Sequence, residues 1–156
     1  MNKKSNDDFT IRYVVPWDAE SIVERGAVDL IFSQAVMEHV LDLQKAYSTM
    51  YSWLKQGGFI SHQIDYKAHE THKTWNGHWK YNDALWETIM HGRSYPINRE
   101  LHSSHVNSIL NAGFEIKKII TVPRNDGYPV EELPSQYESI SAEDLTTSSA
   151  HIIAVK

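Results

Sequence analysis

A short apolar run, Val28-Asp29-Leu30-Ile31-Phe32, stands out from its polar surroundings and predicts a strand buried on both faces. Behind it, apolar and aromatic positions recur at helical spacing through Leu43, Ala46, Tyr47, Met50 and Leu54, and Asp42 is placed to cap that helix. The helix is predicted over 42–55, with Gly57-Gly58 as its stop and Phe59–Asp65 as the next strand. A strand, a helix and a strand in that order predict a parallel α/β sheet. Upstream, Thr10–Val15 is β-branched and aromatic and reads as a strand ended by Pro16. Trp17–Ile22 reads as a turn into a connection closed by Gly26. Downstream, the periodicity weakens from Tyr66 to Arg99, although an apolar stripe predicts a helix around Asn82–His91. Ser94–Arg99 reads as a loop. A helix over 102–112 stops at Gly113, and Phe114–Val122 is the strand after it. After a polar excursion over 123–139 come one helical turn at Ala142–Thr146 and a final strand at His151–Val155.

Composition adds limits. At 156 residues the chain fits one domain with a real core. A net charge of −5 argues against nucleic acid as a partner, which usually meets a basic face. The absence of cysteine excludes disulfides, thiolate metal sites and a cysteine nucleophile. The polar start, Met1 to Asp8, lacks the apolar core of a signal peptide, and no apolar run approaches the roughly 20 residues that span a bilayer. A soluble cytoplasmic protein without a membrane partner is expected. Nine histidines, eight tyrosines and five tryptophans concentrate between Tyr47 and His105. Such a mix suits a pocket that grips a polar organic molecule, and it equally suits aromatics filling a core beneath surface histidines.

The order strand, Glu38-His39, helix, Leu54-Lys55-Gln56-Gly57-Gly58, strand resembles the second half of a class I S-adenosylmethionine-dependent methyltransferase of the small-molecule type 11 kind. Asn111-Ala112-Gly113-Phe114-Glu115 resembles that family's entry into its sixth strand, and the likeness runs from about Arg12 to Lys156. Ser61–His69 and Tyr95–Arg99 look like a subgroup acting on surface polysaccharides and small metabolites. The resemblance implies an α/β fold, a three-layer Rossmann-like methyltransferase sheet lacking its first two strands. It would divide into cofactor-side elements over 10–65, a substrate-side insertion and helix over 66–113, and a C-terminal strand pair over 114–156.

It also implies roles. The cofactor, S-adenosylmethionine, lies across the carboxyl ends of the parallel strands. Asp18 matches the acidic residue that accepts from the adenine amino group, and Ala19 the neighbour whose amide meets the ring. Ser33 and Gln34 leave the fourth family strand where the methionyl end passes, and His39 belongs to the hallmark pair, as a ligand contact or as a loop-fixing residue. His62, Asp65 and His69 come after the fifth family strand on the substrate side. A histidine held by a carboxylate is a reasonable base for a hydroxyl or amine acceptor. His62 and Asp65, three apart, point to opposite faces of an extended strand, which weakens a direct pair. Tyr95, Asn98 and Arg99 suit an anionic acceptor or its diphosphate carrier, and Arg99 equally suits a loop cap. No metal is expected, because no third-ligand spacing accompanies His69 and His72.

Nothing before Thr10 supplies the family's first strand, its Gly-rich turn or the ribose carboxylate, and no Gly-x-Gly comes after any predicted strand. A truncated chain, a split enzyme with a separate N-terminal half, and a degenerate homologue all fit. The expected function is methyl transfer to a small polar or carbohydrate-linked acceptor, inactive as this isolated fragment, with a non-catalytic binding or dimerisation module as the alternative. Val28–Phe32 would then be an open apolar edge that invites the N-terminal half or a second copy.

Overall fold

The structure, a computed structural model, describes residues 10–15 and 22–156. β1 (Val28–Gln34) leads through a 3-10 turn at Met37–His39 into α1 (Leu43–Trp53). Asp42 caps α1 as its sequence predicts, its carboxylate accepting from the Lys45 amide at 2.9 Å. β2 (Leu54–Asp65) starts directly where α1 stops, so the diglycine lies inside the strand and does not end the helix. There it serves a bulge: Val28 pairs with Leu54, but Leu30 already pairs with Phe59. Gly57 takes φ +78°, and a Cβ on Gly58 would meet the Lys55 carbonyl oxygen at 3.0 Å and that of Val28 at 3.1 Å.

The remaining elements are α2 (Asp83–Met90), α3 (His102–Asn111), β3 (Glu115–Pro123), α4 (Ala142–Thr146) and β4 (Thr147–Val155). The four strands form one mixed sheet in the order β1-β2-β4-β3. Only β1 and β2 run parallel; β4 is antiparallel to both of its neighbours.

Alternation along the central strands decides which face is covered. Ile60, His62 and Ile64 of β2 and Ala150, Ile152 and Ala154 of β4 are buried, and they meet Tyr47 and Met50 of α1 and Ile109 of α3. On the opposite face Leu30, Phe32, Phe59, Ile120 and Val122 are exposed. The described residues therefore form two layers of the three expected, a sheet with helices on one side. β1 is correspondingly an edge strand with its outer face in solvent, and is not buried on both faces. A smaller cluster, Trp75, Trp79 and Tyr137, packs the segment between β2 and α3 against the 123–141 excursion.

The strand expected at Thr10–Val15 is not formed: these residues adopt no regular structure, and Ile11 and Tyr13 are 79% and 92% exposed. A strand with no neighbour to bond cannot satisfy its backbone except with water. The turn expected from Trp17 falls largely on residues 16–21, outside the described residues.

Candidate functional site

The parallel strands β1 and β2 end side by side, and the turns leaving their carboxyl ends build the site. After β1 comes Ala35 in the left-handed region at φ +52°, its amide donating to the Gln63 carbonyl at 3.0 Å. The 3-10 turn then drives Glu38 inward until only 1% of it is exposed. After β2 the chain bends through His69 (φ +43°) and Glu70 (φ +64°), two successive non-glycine residues in a region that L side chains seldom adopt. Strain of this kind is held only where the surroundings over-determine it. The Ala68 amide donates to Trp75 O at 2.8 Å, and Ala68 O accepts from the Thr71 amide at 2.9 Å.

This bend brings His69 Nε2 to 3.9 Å from Glu38 Oε1. Both Glu38 oxygens and His69 Nε2 are buried, with no hydrogen-bond partner in another residue. Burial is the main cause that raises the Glu38 carboxyl above its ordinary range, against its own backbone amide and the nearby His39 and His69, which favour the charged form. His39 meets His69 edge to face at 5.4 Å between ring centroids, and Tyr95 at 5.2 Å on its other side. Its Nδ1–H donates to Pro96 O at 2.6 Å, which leaves Nε2 as the free ring nitrogen.

Asn98 ties the two segments together. Its side-chain amide donates to Met37 O and Val40 O, each at 2.8 Å, and its backbone amide donates to Glu38 O at 2.9 Å. All three bonds brace the Glu38 turn. Arg99 is engaged elsewhere: its guanidinium donates to Tyr81 O at 2.7 Å and to Asp83 Oδ1 at 2.6 Å, and it lies 4.9 Å over the Trp86 ring. Tyr95 is half exposed at the rim.

The three residues read as a catalytic group do not assemble as a set. His62 points under the sheet, fully buried, with Nδ1 at 2.7 Å from Ser33 Oγ, and burial pushes its pKa down to about 4. Asp65 takes the Lys67 amide at 2.9 Å and Lys67 Nζ at 2.7 Å. Of the three, His69 is the one whose ring approaches a buried carboxylate, that of Glu38. Sequence reasoning missed Glu38 in that role, although the Glu38-His39 pair carries the signal; it gives a contact to His39 alone.

Of the residues matched to the cofactor, Ser33 and Gln34 line a groove of about 430 Å³ whose other walls include Met37, Met50, Trp53 and His62. Asp18 and Ala19 lie outside the described residues. Among the described residues no three metal-ligating side chains converge, and no helix is long and apolar enough to cross a membrane.

The family model of a methyltransferase domain matches residues 1–61. No curated protein matches the chain in sequence. Solved structures share the fold. An S-adenosylmethionine-dependent methyltransferase from Methanosarcina mazei is 12% identical over 88% of this chain and 64% of its own length, with a TM-score of 0.56. One from Mesorhizobium loti is 14% identical over 86% of this chain and 64% of its own, with a TM-score of 0.53. A Haloferax volcanii methyltransferase structure, solved as a complex with the activator Trm112, is 15% identical over 86% of this chain and 56% of the matched chain, at 0.51. The chain thus spans less than two thirds of the length of these three. Through the family model over residues 1–61 and these folds over most of its length, the chain is similar to class I S-adenosylmethionine-dependent methyltransferases and shares their fold.

Proposed function

We propose that this chain provides the acceptor side of a methyl transfer from S-adenosylmethionine to a small polar acceptor, carbohydrate-linked hydroxyls included. One observation carries the reading: at the carboxyl ends of parallel β1 and β2, where open α/β sheets bind ligands, a buried carboxylate without a partner meets His69, beside His39 and Tyr95. The groove edge at Ser33 and Gln34 suits the amino-acid end of the cofactor, since an amide side chain both donates and accepts. When bound, the cofactor supplies an electrophilic sulfonium methyl. The chain's own residues orient the acceptor, exclude water and receive its proton. His62 and Asp65, both already bonded, act in positioning, and His69 is the residue that reaches the acceptor. Arg99, held by Tyr81 and Asp83, fixes the loop that presents Tyr95.

Titration of the 15N-labelled chain with S-adenosylhomocysteine tests this. Amide shifts at Ser33 and Gln34 are expected, with an affinity weaker than micromolar because none of the seven glycines forms a Gly-x-Gly turn that would let backbone approach the cofactor. Shifts confined to other surfaces, or none at all, would overturn the reading.

The bare sheet face favours a second component. Leu30 and Phe32 on the β1 edge, continuous with Phe59, give a surface that a second copy or a chain carrying the Gly-rich half would cover.

A further inference from the structure

The two edges of the sheet are built differently. The outer edge strand β3 carries Lys117 and Lys118, has a bulge between Ile116 and Lys118, and ends on Pro123. Lysines, bulges and proline are the usual means by which an edge strand refuses a neighbour. β1, the opposite edge, has none of them over Leu30–Gln34. The irregularity it shares with β2 puts the extra residues in β2, and its single charge, Asp29, is already paired with Lys55 Nζ at 2.8 Å. The Ala35 amide donates to Gln63 O, so by alternation Ile31 and Ser33 also face β2. The backbone N–H and C=O groups of Leu30, Phe32 and Gln34 therefore point off the sheet. Leu30 and Phe32 are exposed, and among the described residues no strand pairs with β1 on that side.

We propose that this edge pairs with the same edge of a second copy, about a two-fold axis through Ile31, so that one sheet runs through both chains. A two-fold axis makes such pairing antiparallel and requires the strand to complement itself. Val28-Asp29-Leu30-Ile31-Phe32-Ser33-Gln34 does so. Centred on Ile31, Leu30 faces Phe32 of the second copy, Asp29 faces its Ser33, Val28 faces its Gln34, and the two Ile31 side chains meet. Apolar residues oppose each other at the centre, and no like charges come together. Leu30 and Phe32, whose backbones point outward, form the hydrogen-bonded pairs, and Ile31 forms the closer non-hydrogen-bonded pair. Moving the axis by one residue either way would set Ile31 against Asp29 or Ser33 and shorten the paired run. The centred register also gathers Leu30 and Phe32 of both copies into one apolar cluster on the bare face. On the helix side Ile31 lines the groove beside Met50 and Trp53, and Ile31 of the second copy closes its open flank. The assembly stands apart from the methyl-transfer reading, since it uses neither cofactor nor acceptor. A chain carrying the Gly-rich half would compete for the same backbone groups.

The chain has no cysteine, so single cysteines report the register without background. Residues facing each other in a non-hydrogen-bonded antiparallel pair lie about 4.5 Å apart at Cα, within the span of a disulfide. Ile31→Cys in the full chain should therefore give a covalent dimer on mild oxidation. Gln34→Cys, roughly 20 Å from its counterpart in this register, should not. Leu30→Cys mixed with Phe32→Cys should give a mixed dimer several times faster than either alone. Those two positions are exposed, so this pair reports even where Ile31→Cys, packed against the core, disturbs folding. In the unmodified chain, amide exchange at Leu30, Phe32 and Gln34 should slow roughly tenfold from dilute to concentrated solution, as the edge becomes paired. Exchange independent of concentration, no preference for the mixed dimer, or equal cross-linking at Ile31 and Gln34 overturns the proposal. So does a monomer whose edge amides slow only when a different chain is added.

Discussion

Three histidines, His62, His78 and His105, are sealed in the interior, and burial pushes their pKa values down to about 4, 3 and 3. His105 hydrogen-bonds Tyr47 through Nδ1 at 3.0 Å, and His62 bonds Ser33. Each is neutral in the folded chain but protonates near its ordinary value once unfolded. Stability is therefore complete above about pH 6.5 and falls as the pH drops from there towards 4, because the unfolded state binds protons that the native state refuses. Each contributes a loss of about 1 kcal/mol per pH unit, so roughly 3–4 kcal/mol per unit for the set, a large share of a typical domain's margin. Urea melts at pH 7, 6, 5 and 4 check it: a midpoint independent of pH would mean that these imidazoles are not held neutral. The histidine-rich composition was legible, but its partition was not. A histidine's sequence neighbours do not show whether the ring will face core or crevice, and Glu38 looks like any exposed glutamate until the bend at His69 closes over it.

At the scale of elements, periodicity together with local cap and stop residues located α1, α2, α3, α4, β3 and β4 to within a few residues. It failed where identity depends on a neighbour. Thr10–Val15 has the composition of a strand and none of the pairing, and the diglycine makes a bulge because β2 must accommodate β1. The same limit hid the role of Asn98. Its two side-chain bonds to the 37–40 turn are long-range contacts that its loop sequence does not announce. Asn98→Ala should leave both carbonyls and the Glu38 turn unbraced, at about 2 kcal/mol. A denaturant midpoint lowered by that amount is expected; unchanged stability would instead mark Asn98 as a residue free to serve a ligand.

At the scale of the whole molecule, the sheet has one packed face and, among the described residues, one bare one. Apolar Leu30, Phe32, Phe59, Ile120 and Val122 share the bare side, with Phe32 63% exposed. Apolar surface of this sort, grouped on β1–β2 and again on β3, seeks a cover. Light scattering on the purified chain should show species heavier than the 18.0 kDa monomer, and Phe32→Lys should shift them towards monomer without lowering the melting temperature. A monodisperse native monomer would contradict this. The strand order carries a further consequence. β4, the last strand in sequence, lies between β2 and β3, which were made long before it and do not touch each other. During synthesis the sheet therefore has a gap at its centre until residues 147–155 emerge, with two apolar flanks waiting on one late segment. A stop codon shortly before Thr147 would remove few residues yet leave a β1-β2 pair and a lone β3 with no strand to join them.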